Sequence, residues 1–363
     1  MLMLGKSGYN GAMKEFDESA REHTDTLLDP ALSPTRHEDR KLRRRKVRRR
    51  ILGVLGLMLI LLVTGYVVLI ARNVASISTN PSGLAGLTTD GSGRTNILIL
   101  GQGDPGHDGA GLTDTMMVLS LNPSTKQVAQ ISVPRDLRVN IDGYGYGKIN
   151  AANAEGGAAL AEKTVSETLG IPINYYVTTN FSGLQSIVDA VGGLDVNVKT
   201  ALIDTEYPCA DNQYKVCGLN IQPGLQHMDG ARVLEYTRCR KGTCGNDFGR
   251  AARQQKVLSL LRQKVVRWQT MANPFAVAPL TGALRTTLST NMDGFQLAQM
   301  ALDWQSAQKN NPINLVLSTQ TGGYLTSAGA SSDLLPVGGS FSVIQDRVQN
   351  IFTEPVRSTD VPK

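Results

Sequence analysis

The sequence predicts an α/β fold in which a mixed β-sheet is sandwiched by helices, with a single transmembrane helix ahead of it. Three observations predict this. From Asn96 onward, short apolar runs of strand length alternate with longer stretches of helical periodicity. Two of these runs, 115–121 and 127–133, are separated by a turn at Asn122-Pro123-Ser124 and pair as a hairpin, while the other strands return through helices. Such a sheet mixes antiparallel and parallel pairs. Third, residues 51–70 hold no charge and directly follow a basic run.

That basic run dominates the charge. The chain of 363 residues has a formal charge of +6. Residues 40–50 carry nine Lys or Arg and no acid, residues 1–39 are net acidic, and the rest is close to neutral. The charge is therefore not a nucleic-acid footprint, and 5% aromatics argue against a base-stacking surface. At about 1.5 Å per residue, the twenty uncharged residues span roughly 30 Å, a bilayer's hydrocarbon thickness. A basic flank on the N-terminal side orients the span. The expected organisation is a cytoplasmic tail over 1–50, a span over 51–71, a Gly/Ser/Thr-rich linker over 72–95, an extracytoplasmic domain over 96–352 and a flexible tail over 353–363. The expected location is the plasma membrane, with a single pass and the N-terminus inside.

Within the outer region, strands are expected at 96–100, 115–121, 127–133, 173–180, 194–198 and 314–319. Helices are expected at 156–170 and 182–193, both closed by glycine, and at 248–271. Cys209, Cys217, Cys239 and Cys244 all lie on the outer side. An even count in an exported region points to two disulfides, local pairing being the simplest of three connectivities. Zinc ligation fits the spacings less well.

Gly101-Gln102-Gly103-Asp104-Pro105-Gly106 matches a dinucleotide-binding fingerprint after a strand. No helix opens at its last glycine and no acid follows at the required distance, so that reading is set aside. The same loop holds Asp104 and Asp108, with Asp114 shortly after. Carboxylates gathered beside a strand end suit Mg²⁺ (or Mn²⁺), with substrate phosphate completing its shell; turn formation is the competing account. Arg135 ends a strand, and Arg238, Arg240, Arg250 and Arg253 cluster in YTRCRKGTCGNDFGRAARQQ. Guanidinium forks grip phosphate bidentately, and five of them in a neutral domain suggest a bound pyrophosphate. A solvated helix face with surface ion pairs is the alternative.

Taken in order, SVPRDLRVNI, KINAAN (148–153), NYYVTTNFSGLQSIVDAVGGLDV and LEYTRCR…DFGRAARQQ resemble the LytR-CpsA-Psr family over residues 96–265. The resemblance implies a mixed α/β sandwich. It also implies transfer of a glycopolymer from a polyprenyl-pyrophosphate carrier to peptidoglycan. On that likeness, Asp114 matches the family's metal-binding Asp, with Asp104 or Asp108 as the second ligand. Arg135, Arg238, Arg240, Arg250 and Gln254 match its pyrophosphate contacts, and Arg135, Arg238, Asp114 and Asp104 are the implied catalytic set. Asp136, Asp247, Arg253, Lys148 and Asn150 stand as supporting residues. Two departures mark this chain: Leu112 replaces an Arg two residues before Asp114, and the usual second acid falls on Gly103, displacing Asp104 by one. The donor also calls for an apolar slot, for which 96–100, 174–177 and the 156–170 helix are candidates. A polyprenyl-pyrophosphate phosphatase and a non-catalytic lipid-pyrophosphate-binding regulator are the competing functions.

Overall fold

The computed structural model describes Met58 and residues 86–104, 111–209, 214–265, 287–307, 310–329 and 332–361. The expected cytoplasmic tail and, apart from Met58, the span at 51–71 lie outside them. Among the described residues, no helix is long and apolar enough to cross a membrane. The region from Thr95 onward is built on a six-stranded sheet, in the spatial order β11-β6-β1-β2-β3-β12. Its strands are β1 (Thr95–Gln102), β2 (Thr113–Asn122), β3 (Gln127–Val133), β6 (Tyr175–Asn180), β11 (Leu288–Thr290) and β12 (Ile313–Val316). β1 pairs antiparallel with β2, and β2 with β3, the latter being the hairpin expected from its turn. β1 is parallel to β6, and β3 to β12, so the sheet is mixed.

β1, β2 and β3 are buried almost throughout, as continuous apolar runs covered on both faces should be. On one face, Leu98, Leu100, Val118 and Ile131 pack with Val165 and Leu169 of helix α1 (Ala151–Leu169). On the other, Ile97, Leu119 and Leu121 meet Leu258, Leu297 and Met300. Most apolar side chains proposed to line a lipid slot are thus core. Ile99, Ala158, Leu160, Tyr176 and Val177 are partly buried.

α1 begins five residues before the expected start. Gly156 and Gly157 break it with non-helical angles, φ of Gly157 being +69°, so the glycine pair marks a kink inside the helix and not its beginning. Its end is capped by Gly170 at φ +65°, as glycine permits. A second layer holds α2 (Phe181–Ala190), β7 (Leu194–Val198), β8 (Leu202–Asp204), β9 (Leu219–Ile221), β10 (Gly224–Met228), α3 (Gly230–Arg238) and α4 (Asp247–Val265). Their apolar faces share a separate cluster around Val188, Val196, Ile221 and Val233. Both disulfides are local, Cys209–Cys217 and Cys239–Cys244.

Among the features not read from the sequence are the hairpin of β4 (Arg138–Ile141) and β5 (Gly145–Lys148), the short β8–β9 pair, β10, α3, and β13 (Leu325–Ser327) with β14 (Leu334–Pro336). The tail expected to fray from 353 is held down instead. Asp360 is fully buried against Arg347 of the last helix (Ser342–Gln349), and its carbonyl accepts from Val316 N (2.6 Å). A buried charge with that many partners fixes the chain on both sides of it.

Candidate active site

β1, β3, β6 and β12 all run the same way, since β1 and β3 flank antiparallel β2. Their carboxyl ends share one edge of the sheet, where open α/β sheets place their ligands. At that edge the β1–β2 ladder slips. Gly101 pairs with Thr115 but Gln102 with Thr113, leaving Asp114 as the extra residue of a bulge. Bulges of this kind re-aim a side chain at the rim of a site. A Cβ at Gly101 would lie 3.0 Å from Thr115 Cβ, so a side chain there would crowd the bulge.

Arg135 follows β3 and Pro134 directly. Its Nη1 donates to Asp114 Oδ1 at 2.6 Å, and its Nε faces Asp247 Oδ2 at 3.5 Å and Asp136 Oδ2 at 3.6 Å. That Nε is buried and makes no hydrogen bond. Burial opposes the charge of Arg135, but Asp247, Asp114 and Asp136 outweigh it and hold the guanidinium above its usual pKa. Lys148 Nζ sits 2.6 Å from Asp136 Oδ1. Asn150 acts through its backbone, donating to Arg135 O (3.3 Å) and accepting from Thr113 N (3.5 Å).

The opposite wall is the first turns of α4. Arg250 Nη2 donates to the carbonyl of Asp114 (3.1 Å) and lies 3.7 Å from Asp247 Oδ1. Its pKa is lowered by burial, with the charges of Arg135 and Arg240 adding and Asp247 and Asp114 opposing. Gln254 Nε2 donates to Thr115 Oγ1 at 2.8 Å. Between the walls lies an open cleft of about 340 Å³, solvent included, also lined by Phe248 and Val316. Neither was anticipated; Val316 comes from the parallel neighbour of β3, about 200 residues from Asp114, with no local signal. Gln255 was also missed. It is buried, and its Nε2 donates to Gln130 O, Ser132 Oγ and Leu315 O, pinning α4 across β3 and β12.

Arg253 is not in the cleft. Its Nε donates to Tyr236 O (2.9 Å), its Nη1 to Cys244 O (2.8 Å) and its Nη2 to Cys239 O. Burial pushes its pKa down to about 10, Arg250 adding to the effect and Tyr236 opposing it. It braces the loop closed by Cys239–Cys244, and its reading as part of a phosphate-binding face is corrected accordingly. Arg253→Ala is expected to cost about 2–3 kcal/mol in urea unfolding with disulfides intact, since three buried carbonyls lose a charged donor. An unchanged midpoint would refute the bracing role.

The remaining expected site residues are distributed around this cluster. Arg238, at the end of α3, stacks over the Phe181 ring at 4.3 Å, with Tyr207 at 6.0 Å, and does not line the cleft. Arg240 is exposed, and its charge reaches Arg250. Asp104 caps α2, accepting from Ser182 N (3.1 Å) and Ser182 Oγ (2.8 Å). Asp108 lies outside the described residues.

For a hard cation, Asp114 is the suitable acid. Its side chain is 37% exposed and Arg135 engages its Oδ1. Magnesium commonly takes one or two carboxylates and completes its shell with water and substrate phosphate, so this donor fits. Among the described residues, the one close trio of metal-type ligands is Asp204 with Cys239 and Cys244, whose sulfurs are already joined.

Comparison with known proteins agrees with this architecture. The model of the LytR_cpsA_psr family matches residues 65–331. The chain belongs to that family. A relative from Bacillus mycoides, a polyisoprenyl-teichoic acid–peptidoglycan teichoic acid transferase TagU, is 33% identical over 217 residues, covering 60% of this chain and 66% of its own length. A TagU from Enterococcus faecalis is 35% identical over 215 residues, 58% of this chain and 66% of its own. The match thus spans just under two thirds of these curated relatives. Among solved structures, Bacillus subtilis TagV superposes with a TM-score of 0.57 at 25% identity, over 71% of this chain and 97% of that one. TagT bound to LI-WTA gives 0.56 at 26%, over 75% and 96%. The LytR_cpsA_psr fold thus accounts for the mixed central sheet.

Proposed function

We propose that the protein is a membrane-anchored phosphotransferase that moves a glycopolymer from a polyprenyl-pyrophosphate carrier to peptidoglycan. One observation carries this reading. The partly exposed guanidinium of Arg135, lining the cleft, stands beside Arg250, whose charge burial disfavours. A pyrophosphate entering the cleft serves both, supplying an acceptor to one guanidinium and a countercharge to the other. The TagU relatives, named for transfer of teichoic acid to peptidoglycan, point the same way.

In the reaction, an acceptor hydroxyl oxygen bonds to the glycan-bearing phosphorus. The bond from that phosphorus to the bridging oxygen breaks, and polyprenyl phosphate leaves with the electron pair. The hydroxyl proton passes to a carboxylate of the cluster. Arg135 and Arg250 stabilise the charge that grows on the leaving phosphate. Asp104 suits the role of base poorly, since both its oxygens accept from Ser182. Asp114 would hold Mg²⁺, which supplies further charge neutralisation on the phosphates when bound. An anchor at 51–71 keeps the cleft at the membrane surface, where a lipid-linked donor resides.

The test uses the full chain with purified lipid-linked glycopolymer, peptidoglycan and Mg²⁺. Glycan is expected to become covalently attached to the sedimenting peptidoglycan. Chelation should stop the reaction, and Mg²⁺ or Mn²⁺ should restore it; Asp114→Asn should raise the metal concentration required. Phosphate release without attachment would replace this reading by a polyprenyl-pyrophosphate phosphatase. Donor binding without any product would leave a regulator.

A further inference from the structure

The β4–β5 hairpin leaves the site just after Asp136 and returns to it at Lys148. Its turn and return strand read Asp142-Gly143-Tyr144-Gly145-Tyr146-Gly147-Lys148, tyrosine alternating with glycine. The hairpin's aliphatic residues go inward, with Val139 and Ile141 buried. Its tyrosines do not: Tyr144 is 56% exposed and Tyr146 75%. Gly143 and Gly145 have φ of +80° and +77°, and nothing lies within 4 Å of where a Cβ would stand at either. The glycines beside each tyrosine in the chain therefore put no side chain against the rings. Tyr144 is nonetheless fixed, its hydroxyl donating to Glu155 O at 3.0 Å.

Both ends of this surface join the catalytic cluster. At the root, Lys148 holds Asp136, which faces Arg135. At the tip, Glu155 belongs to the opening turns of α1, where Asn153 Nδ2 donates to Gly111 O (2.7 Å), three residues before Asp114. Leu112, between them, is 37% exposed.

We propose that Tyr144 and Tyr146 are a stacking platform for the saccharide strand of the acceptor; its assignment to the acceptor rests on the transferase reading above. A pyranose ring presents a face of C–H bonds edged by hydroxyls. A tyrosine presents a matching apolar face with a polar tip. A polymeric acceptor is longer than the cleft between Arg135 and Arg250, so it must continue across the surface outside it. Charge favours a glycan over an anionic lipid surface: the bases on and against the hairpin are each paired with an acid, Arg138 with Asp333, Lys148 with Asp136 and Lys163 with Asp142, so no basic patch is left for lipid headgroups.

The experiment is co-sedimentation of the full chain in detergent with purified insoluble peptidoglycan, without donor. The Tyr144→Ala/Tyr146→Ala double variant is expected to bind about ten-fold more weakly, Tyr146→Ala severalfold, and Tyr146→Phe within two-fold of the parent. Thermal unfolding of each variant shows whether it is folded, and Tyr144→Phe removes the bond to Glu155 while keeping the ring. Unchanged sedimentation of a folded double variant overturns the platform. So does a loss seen equally on anionic vesicles, which would mark a membrane contact. The transferase reading fails independently, when the parent protein attaches no glycan although its binding to peptidoglycan depends on the rings.

Discussion

Arg135→Ala is expected to lower transfer from a purified lipid-linked donor by about 10²–10³-fold, the loss typical of one preorganised donor to a developing anion. The site explains the size. Asp114, Asp136 and Asp247 all converge on this one guanidinium. Without it, those acids face the cleft with Lys148 and Arg250 as the nearest cations, and the cleft repels the pyrophosphate it has to bind. Arg135→Lys should rescue little. An ammonium is a point charge and cannot bond Asp114 at one nitrogen while offering another to phosphate. The loss should fall on turnover more than on donor KM if the contact tightens as the leaving phosphate gains charge. The fold should survive, because Arg135 is partly exposed and anchors no core. Circular dichroism checks this. Near-parental turnover by Arg135→Ala would remove the central support of the proposed function.

Arg135, Asp114 and Arg250 were legible because each stands in a short local pattern: a strand end, a loop acid, a helix's first turn. Arg253 shows the limit of such reading. Its spacing from Arg250 places both on nearby faces of α4, but spacing is silent about what packs there. The carbonyls of Tyr236, Cys239 and Cys244 claim it. Asp104 illustrates the same point, since nothing in the loop sequence says that α2 starts beside it. The strands β1, β2, β3 and β7 were readable from apolar pattern alone. The start of α1 was not, because Gly156-Gly157 looks like a boundary and is a kink. The β4–β5 hairpin was hidden too: GYGYG has neither apolar run nor alternation of buried and polar residues. Val316 enters the site through β12, a pairing decided only when the sheet assembles.

The C-terminal clamp should be the strongest single determinant of stability among the described ion pairs. Arg347 and Asp360 side chains are fully buried and meet at 2.7 Å, and Tyr324 Oη donates to Asp360 Oδ1 at 2.6 Å. Arg347→Ala leaves a buried carboxylate with no countercharge, and about 3–5 kcal/mol should be lost. For a domain of this size that lowers the thermal midpoint by roughly 6–15 °C. Burial raises the pKa of Asp360, but the bonds from Arg347, Tyr324 and the Arg357 backbone overcome it and the net shift is downward. The sign follows. The folded state holds the proton less tightly than the unfolded chain does, so the stabilisation is complete above the ordinary value of 3.8 and is lost as pH falls through the lower folded value. Stability measured from pH 6 downward should therefore drop below about pH 4, and Asp360→Asn should flatten that drop while lowering stability at pH 6. The paired Arg347→Met/Asp360→Leu change distinguishes charge from packing: it should recover much of the loss, since two apolar side chains need no countercharge. The effect should reach the cleft. The Asp360 carbonyl accepts from Val316 N, and Val316 lines the cleft beside Met116 and Ser132. A tail that detaches at acid pH would therefore loosen one wall of the site before the sheet unfolds, and transfer activity should decline ahead of the loss of far-ultraviolet circular dichroism. Coincident losses would show instead that tail and sheet melt as one cooperative unit.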